Sequence, residues 1–263
     1  MGLVLLAFVL LGFAGYLYGL SGIQEARTQA ILYQRLQGEL AQNNGEVAPL
    51  GPTTPGSPMA ILDIPSIGIH DLVVVEGTSP ENLTLGPGHL RDTPYPGQGG
   101  VSEIFGRRAT FGAPFAHLTQ LRPGAFIETI TGQGESTYTV VAIGNSKERI
   151  VDRAPNQLLL FTASSPVIPS YYVEVDAHLT SAPRPGPAVA RQINAPELVL
   201  AGDHGALVLT TLWAVALAII GGLGTLAAIR WSPWAAYLAA VPPAIAVLWC
   251  LYQSLAMLLP NIY

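Results

Sequence analysis

Two adjacent serines, Ser164 and Ser165, directly follow the strand-like apolar run QLLLFTA at residues 157–163. A serine becomes a nucleophile when a general base lies within hydrogen-bond reach and a third group orients that base. Four histidines between the apolar ends of the chain could serve as this base: His70, His89, His117 and His178. Each has an ordinary structural explanation in a strand-like or short helical run, so a serine hydrolase has little support.

Metal or thiol chemistry is no better supported. The acidic residues of the middle section are scattered, and no His-x-x-x-His pair or paired carboxylates occur at ligand spacing. Asp203 and His204 stand directly before an apolar run, which indicates an interfacial cap rather than a ligand set. Cys250 is the single cysteine, which excludes an intrachain disulfide and a Cys-based zinc site. We expect no metal ion and no cofactor.

Arg107 and Arg108 are adjacent cations in the run FGRR. The planar donor fork of an arginine can grip a carboxylate or a phosphate, so this pair is a candidate contact for a partner or ligand. The structural alternative is a solvated pair, or one that packs on Tyr172 or Phe111. Both alternatives remain open at the level of the sequence.

The elements that must position these residues belong to a membrane protein with one water-facing part. Half of the residues are hydrophobic, 11% are charged and the mean hydropathy is +0.41. Apolar runs at 1–20, 205–229 and 234–259 are each long enough to cross ~30 Å of hydrocarbon as a helix. The net charge of −5, without any cluster of Lys and Arg, argues against a nucleic-acid partner.

The first apolar run lacks a basic flank, so we predict an uncleaved signal anchor rather than a signal peptide. Arg230 is the only cation in the short loop between the other two runs, and the positive-inside bias places it in the cytoplasm. Residues 21–204 and 260–263 are then expected outside the cell. The predicted location is the plasma membrane, with lipid as a direct partner.

Two Pro- and Gly-rich stretches, at 45–58 and 181–197, mark off a middle domain. Residues 21–44 show helical spacing and are predicted to rise as a juxtamembrane stalk. The predicted organisation is a transmembrane anchor at 1–20, a helical stalk and linker at 21–58, a domain at 59–180, a linker at 181–204 and a transmembrane hairpin at 205–263.

The domain at 59–180 contains several short runs rich in β-branched and aromatic residues, each bounded by Gly, Pro, Ser or Asn. Such runs, separated by turn signals, predict a closed barrel or a sandwich. The segment APFAHLTQL interrupts them as one short helix, with Phe115 and Leu118 at helical spacing.

The order of these runs and their residue sequences resemble those of the sortases of Gram-positive bacteria. Sortases are membrane-anchored cysteine transpeptidases that join surface proteins to cell wall or pilus. The similar stretches include LDIPSIGIHDLVVVEG, GGVSEIFGRRATFGAPFAHL, LLLFTASSP and YYVEVDAHL, and together they span about residues 60–180. The likeness is to the actinobacterial, class E-like branch. It implies a mainly β fold, a sortase-like closed β-barrel with one short helix, joined to three transmembrane α-helices, one N-terminal and two C-terminal.

The resemblance also locates three catalytic positions, and none of them holds the residue of the family. Sortases use a cysteine nucleophile, a histidine for proton transfer and an arginine for the oxyanion. By motif, Ala163 stands at the cysteine, Arg107 at the histidine, and Tyr172 at the arginine, or Tyr171 if the match slips by one residue. An alanine offers no nucleophile, and an arginine, with a pKa above ~12, cannot act as a base. Cysteine transpeptidation is therefore not expected.

Three functions from different classes remain. The first is a catalytically inactive scaffold or accessory subunit of a membrane or cell-surface protein complex. The second is a pseudoenzyme that binds a sorting-signal-like peptide for an active sortase, and the third is a rewired serine hydrolase. Two spans after the domain favour the first over the second, because peptide display needs only one anchor. The candidate contact residues are Arg107, Arg108, Ser164, Ser165, Tyr171 and Tyr172.

Overall fold

A computed structural model of the chain describes residues 2–42, 53–146, 154–166, 169–187, 197–198, 202–230 and 232–263. The chain divides into two compact units. One unit comprises Met1–Ala201 together with Pro260–Tyr263, and the other comprises Gly202–Leu259. The first contains a β-barrel and a long helix, and the second is a helical hairpin.

Eight strands form the barrel: β1 Pro58–Ile64, β2 Ile69–Glu76, β3 Gly88–His89, β4 Gly100–Phe105, β5 Phe126–Thr131, β6 Gly134–Asn145, β7 Asn156–Ala163 and β8 Tyr172–Leu179. The sheet closes on itself in the order β1-β2-β3-β4-β7-β8-β6-β5. The pairs β2–β3 and β4–β7 are parallel, and the other ladders are antiparallel. The predicted mainly β fold with a closed barrel is confirmed.

The predicted short helix at 113–121 is a series of tight turns rather than an α-helix. Its backbone bonds run from residue i+3 back to residue i, from Ala116 to Ala113, Leu118 to Phe115 and Leu121 to Leu118. This 3₁₀-type pattern brings residues three apart to the same side. Phe115 and Leu118 are therefore both fully buried in the main core of the barrel.

Side chains alternate between two faces along β7, as the period of a strand requires. Leu158 and Leu160 lie in the main core with Ile104 of β4 and Val175 of β8. Phe161 and Ala163 belong to a second apolar cluster on the other face. This second face of β7 carries the candidate site described below.

The N-terminal helix runs without interruption through α1 Gly2–Gly15, a π-helical turn Tyr16–Leu20 and α2 Ser21–Ala41. The segment predicted as a juxtamembrane stalk is helical, and its α2 part packs along the barrel. Leu32 and Leu36, one helical turn apart, bury against apolar side chains of β1 and β2, namely Ile61, Val73 and Val75. The Gln29 side chain also bonds the backbone N–H and C=O of Val73, at 2.8 and 3.0 Å.

The contact between α2 and the barrel yields a stability prediction. Leu36 is 0% exposed, whereas Ile31 on the same helix is 67% exposed. Leu36→Ala is expected to lower the free energy of unfolding by about 2–5 kcal/mol, because it leaves a cavity between helix and barrel. Urea-dependent proteolysis of the purified full chain in detergent measures this loss. Ile31→Ala is the matched control and is expected to change little; an equal effect of both substitutions would show that α2 is not packed on the barrel.

The hairpin unit consists of α3 Ala206–Arg230 and α4 Pro233–Ala256. A Cβ placed on Gly224 of α3 would lie 3.1 Å from the Cβ of Ala240, so the glycine allows the two helices to approach closely. The described residues include three helices long and apolar enough to cross a membrane, Ala7–Ala41, Ala206–Arg230 and Ala236–Ala256. The three predicted membrane helices are therefore present as candidate spans.

The segment Pro260–Tyr263 differs from its predicted place in a hairpin at 205–263. It belongs to the barrel unit, and the compact hairpin ends at Leu259. The segment belongs to the barrel unit because its side chains are buried there: Asn261 and Ile262 are 0% exposed and Tyr263 is 9% exposed.

Candidate functional site: a groove at the end of β7

The C-terminal end of β7 belongs to an apolar cluster on the face of the strand opposite the main core. Ala163 is fully buried there and stands opposite Tyr172 of β8 in the strand register. The ring of Phe161 packs edge-to-face on both Phe105 and Tyr172, with centroids 5.1 and 5.5 Å apart. We call the following buried residues the groove floor: Leu83, Leu90, Phe105, Phe161 and Ala163.

The groove floor shares its buried cluster with a segment of the same chain, residues 261–263. The side chain of Ile262 is part of the floor's apolar cluster, which includes Ala163. The backbone N–H of Arg108 donates to the carbonyl of Ile262 at 3.1 Å, and the Thr110 hydroxyl donates to the Tyr263 carbonyl at 2.7 Å. The position that the resemblance assigns to the nucleophile is thus buried in one apolar cluster with this segment.

The two flanking side chains fasten this segment. Asn261 Nδ2 donates to the carbonyl of Leu198 at 2.8 Å. The Tyr263 hydroxyl is hydrogen-bonded to the Tyr18 hydroxyl at 2.5 Å. Burial, and secondarily the bond to Tyr18, raises the pKa of Tyr263 to about 12, so this phenol is neutral at physiological pH. Sequence reasoning missed Asn261, Ile262 and Tyr263 as site residues, since three residues after a membrane helix carry no periodic signal.

Arg107 is an interior side chain rather than a residue at the mouth of the groove. It is 0% exposed, and its Nε and Nη2 donate to the carbonyls of Leu83 and Pro80 at 3.1 and 3.2 Å. Its Nη1 donates to Thr110 Oγ1 at 3.3 Å, and its guanidinium carbon lies 4.8 Å from the centroid of the Phe111 ring. Burial lowers the pKa of Arg107 to about 10, which leaves it a cation at neutral pH. Of the two alternatives for Arg107, the structure shows packing on Phe111.

Arg108 joins the end of β7 to the neighbouring loop. Its Nη1 donates to the carbonyl of Ala163 at 2.8 Å, and its Nη2 donates to Thr119 Oγ1 at 3.3 Å. The side chain is half-buried, so part of its donor fork remains at the surface. Of the two predicted arginines, Arg108 is the one placed beside the groove.

The predicted contact residues at the start of β8 lie close to the end of β7. Ser164 donates its backbone N–H to the carbonyl of Tyr171 at 3.0 Å, and Tyr172 lies opposite Ala163. Ser164, Ser165, Tyr171 and Tyr172 are all half-buried. The structure therefore brings these four residues together, next to Arg108.

The histidines serve other parts of the barrel. His178 pairs with Gln157, at the opposite end of the β7–β8 ladder from Ala163, and a strand rises ~3.4 Å per residue. The others are occupied locally: His89 Nε2 lies 3.0 Å from Thr93 Oγ1, His117 Nδ1 lies 2.9 Å from Gln120 Nε2, and His70 Nδ1 lies 3.9 Å from Asp63. Within the described part of the chain, no group of three His, Cys, Asp or Glu residues could hold a metal ion.

The known proteins to which this barrel is similar belong to one family. The sortase domain model matches residues 62–171, from β1 to the start of β8. Sortase D of Bacillus subtilis (strain 168) is 33% identical over 104 residues, which are 40% of this chain and 48% of that protein. The chain thus spans about half the length of this curated relative.

Solved structures of sortases are also similar. A sortase D5 transpeptidase of Clostridium perfringens aligns at 19% identity over 59% of this chain and 99% of its own, with a TM-score of 0.49. Sortase E of Streptomyces avermitilis aligns at 31% identity over 49% of this chain and 91% of its own, with a TM-score of 0.43. The match of the sortase domain model to residues 62–171 and the 33% identity to sortase D show that the barrel is a sortase domain, and through this domain the chain belongs to the sortase family.

Proposed function

We propose that this protein is a catalytically inactive sortase-like membrane protein. Its barrel lies outside the plasma membrane and acts as a scaffold or accessory subunit of a membrane or cell-surface assembly. The observation that carries the proposal is the set of side chains at the three positions to which the resemblance assigns catalysis: a buried alanine, an interior arginine and a tyrosine packed on a phenylalanine.

These side chains cannot perform the covalent step of a sortase. An acyl-enzyme requires a nucleophile, and the methyl group of Ala163 provides none. Arg107 remains a cation with its donors bound to Leu83, Pro80 and Thr110, so it has no lone pair to accept a proton. Tyr172 places a phenol ring against Phe161 at the position where the family has the cation that binds the oxyanion.

The proposed topology has an internal support. Leu198 and Asn261 flank the hairpin in sequence, and the two are hydrogen-bonded within the barrel unit. Two crossings by α3 and α4 return the chain to the side from which it started. An outer barrel with Arg230 in the cytoplasm satisfies this condition and the positive-inside bias together.

The hairpin offers a surface suited to a membrane partner. A Cβ added to Gly221 or Gly222 of α3 would meet no heavy atom within 4 Å in the described part of the chain. Small residues on an open helix face let a second helix approach closely, and packing of this kind stabilises helix association in lipid. This favours a protein partner with membrane helices.

The peptide-binding alternative has less support than the scaffold. A sorting-signal-like peptide that lay on the groove floor would first have to displace Ile262. The serine hydrolase has the least support, because His178 lies at the far end of the ladder and His89, His117 and His70 have other polar partners near them in sequence. The actinobacterial origin of the chain remains part of the proposal, and rests on the class E-like pattern of its motifs.

The experiment that tests the scaffold is affinity purification of the full chain from native membranes under mild detergent. We expect a near-stoichiometric membrane protein to remain bound, identified by mass spectrometry. In a matched chain whose residues 205–259 are replaced by an unrelated two-helix hairpin, we expect that partner to be lost. Recovery of the chain alone, or measurable cleavage of a sorting-signal peptide by the purified chain, would contradict the proposal.

A further inference from the structure

We propose that the groove floor is a peptide-binding site whose ligand is the chain's own segment Asn261–Tyr263. Another peptide can enter this site only after that segment leaves. The inference concerns what occupies the groove, and it holds whether or not the barrel has a membrane partner.

The contacts of the segment are those of a bound peptide. One aliphatic side chain, that of Ile262, is fully buried in an apolar pocket, as anchor residues of peptide ligands are. Two successive backbone carbonyls accept hydrogen bonds from barrel donors, the N–H of Arg108 and the hydroxyl of Thr110. The ligand chemistry is therefore a short peptide with a β-branched aliphatic residue and two free backbone carbonyls.

Arg107 acts as a positioning residue for this site. Thr110 Oγ1 accepts from Arg107 Nη1 at 3.3 Å and donates to the Tyr263 carbonyl at 2.7 Å. The hydroxyl proton is thus directed to the segment, because the guanidinium occupies the acceptor side of the same oxygen. The arginine that replaces the family's histidine supports peptide retention instead of proton transfer.

The loop that carries Thr110 is held in an unusual shape. Phe111 has a φ of 49°, in the left-handed region that non-glycine residues rarely adopt. Its N–H donates to Ser21 Oγ of the N-terminal helix at 3.0 Å, and its ring receives the Arg107 guanidinium. These contacts compensate the strained backbone and fix the donors that meet the segment.

Tethering makes the segment hard to displace. A ligand joined covalently to its site acts at an effective concentration on the order of millimolar. A free peptide of similar sequence must therefore reach that range before it competes. The methyl group of Ala163 completes the site, since it lies in the same cluster as Ile262 and adds no polar atom to the floor.

Thiol labelling tests the proposal. In a Cys250→Ser background, the thiol introduced by Ala163→Cys reports whether the floor is covered, and the labelling rate with a maleimide is measured on the full chain in detergent. We expect slow labelling with the segment intact. We expect a rise of at least about tenfold with Ile262→Asp, because a carboxylate is expelled from an apolar pocket. Ile262→Val is the matched control and is expected to keep the thiol protected.

A second reporter separates release of the segment from unfolding. Leu160 lies on β7 but faces the main core, so the thiol of Leu160→Cys should stay unreactive when only the segment leaves. The tetrapeptide Pro-Asn-Ile-Tyr at millimolar concentration should restore protection of the position-163 thiol in the Ile262→Asp chain, and Pro-Asn-Asp-Tyr should not. Fast labelling at position 163 with the segment intact, or joint exposure of both reporters by Ile262→Asp, would overturn the proposal.

Discussion

Arg107→Ala is expected to lower the free energy of unfolding of the barrel by at least about 3 kcal/mol. Arg107 is a large and fully buried side chain. Its removal leaves the carbonyls of Leu83 and Pro80 without the guanidinium donors that they accept from. Each buried acceptor that loses its partner costs about 1–3 kcal/mol, and a desolvated cation–π contact contributes about 2 kcal/mol. Relief of the cation's own desolvation offsets part of this loss, but the cavity adds to it.

Urea-dependent proteolysis of the full chain measures the effect, and two further variants define its origin. Arg122→Ala removes an exposed arginine and is expected to change the free energy of unfolding by less than about 0.5 kcal/mol. Arg107→Lys keeps the charge but loses the planar fork that reaches two carbonyls and a hydroxyl, so it should also be destabilising. Stability equal to the parent in Arg107→Ala would mean that this buried cation contributes nothing to the fold.

The general architecture was predictable because its signals are local. Most strands of the barrel are short runs rich in β-branched and aromatic residues with turn residues at their ends, and each candidate span is a long apolar run. The two-residue strand β3, Gly88–His89, carries no such signal. The packing of α2 was not predictable in the same way. The spacing of residues 21–44 predicts a helix, but only the structure shows that Leu32 and Leu36 form the packed face and that this face contacts side chains of β1 and β2.

The candidate site was half predictable for the same reason. The likeness to sortases located Ala163, Arg107 and Tyr172, and the structure places Tyr172 beside Ala163 as the register requires. Arginine is rarely fully buried, so the interior position of Arg107 could not be predicted from the sequence. The covering segment was not predictable, because Ile262 and Ala163 lie about a hundred residues apart in sequence, and no local pattern encodes their place in one buried cluster.

Restoring the three residues of the family together is expected to produce no measurable transpeptidation. The triple variant is Ala163→Cys, Arg107→His and Tyr172→Arg, and the assay is cleavage of a fluorogenic sorting-signal peptide. A substrate carbonyl must come within about 3–3.5 Å of the nucleophile. Position 163 is fully buried in the same apolar cluster as Ile262, so we expect no room for that approach. An imidazole at position 107 would also face Leu83, Pro80 and Thr110 in the interior, away from the groove.

Addition of Ile262→Gly to the triple variant separates these two obstacles. If the covering segment is the main one, the quadruple variant should cleave the peptide faster than the triple variant, while the same chain with Ala163 retained stays inactive. General acid–base catalysis contributes about 10²–10⁴-fold to a rate. If the histidine at position 107 still faces the interior, this contribution is missing. The quadruple variant should then cleave the peptide no faster than the double variant Ala163→Cys, Ile262→Gly. Activity of the triple variant with Ile262 in place would contradict the occluded groove, because a covered thiol cannot reach its substrate.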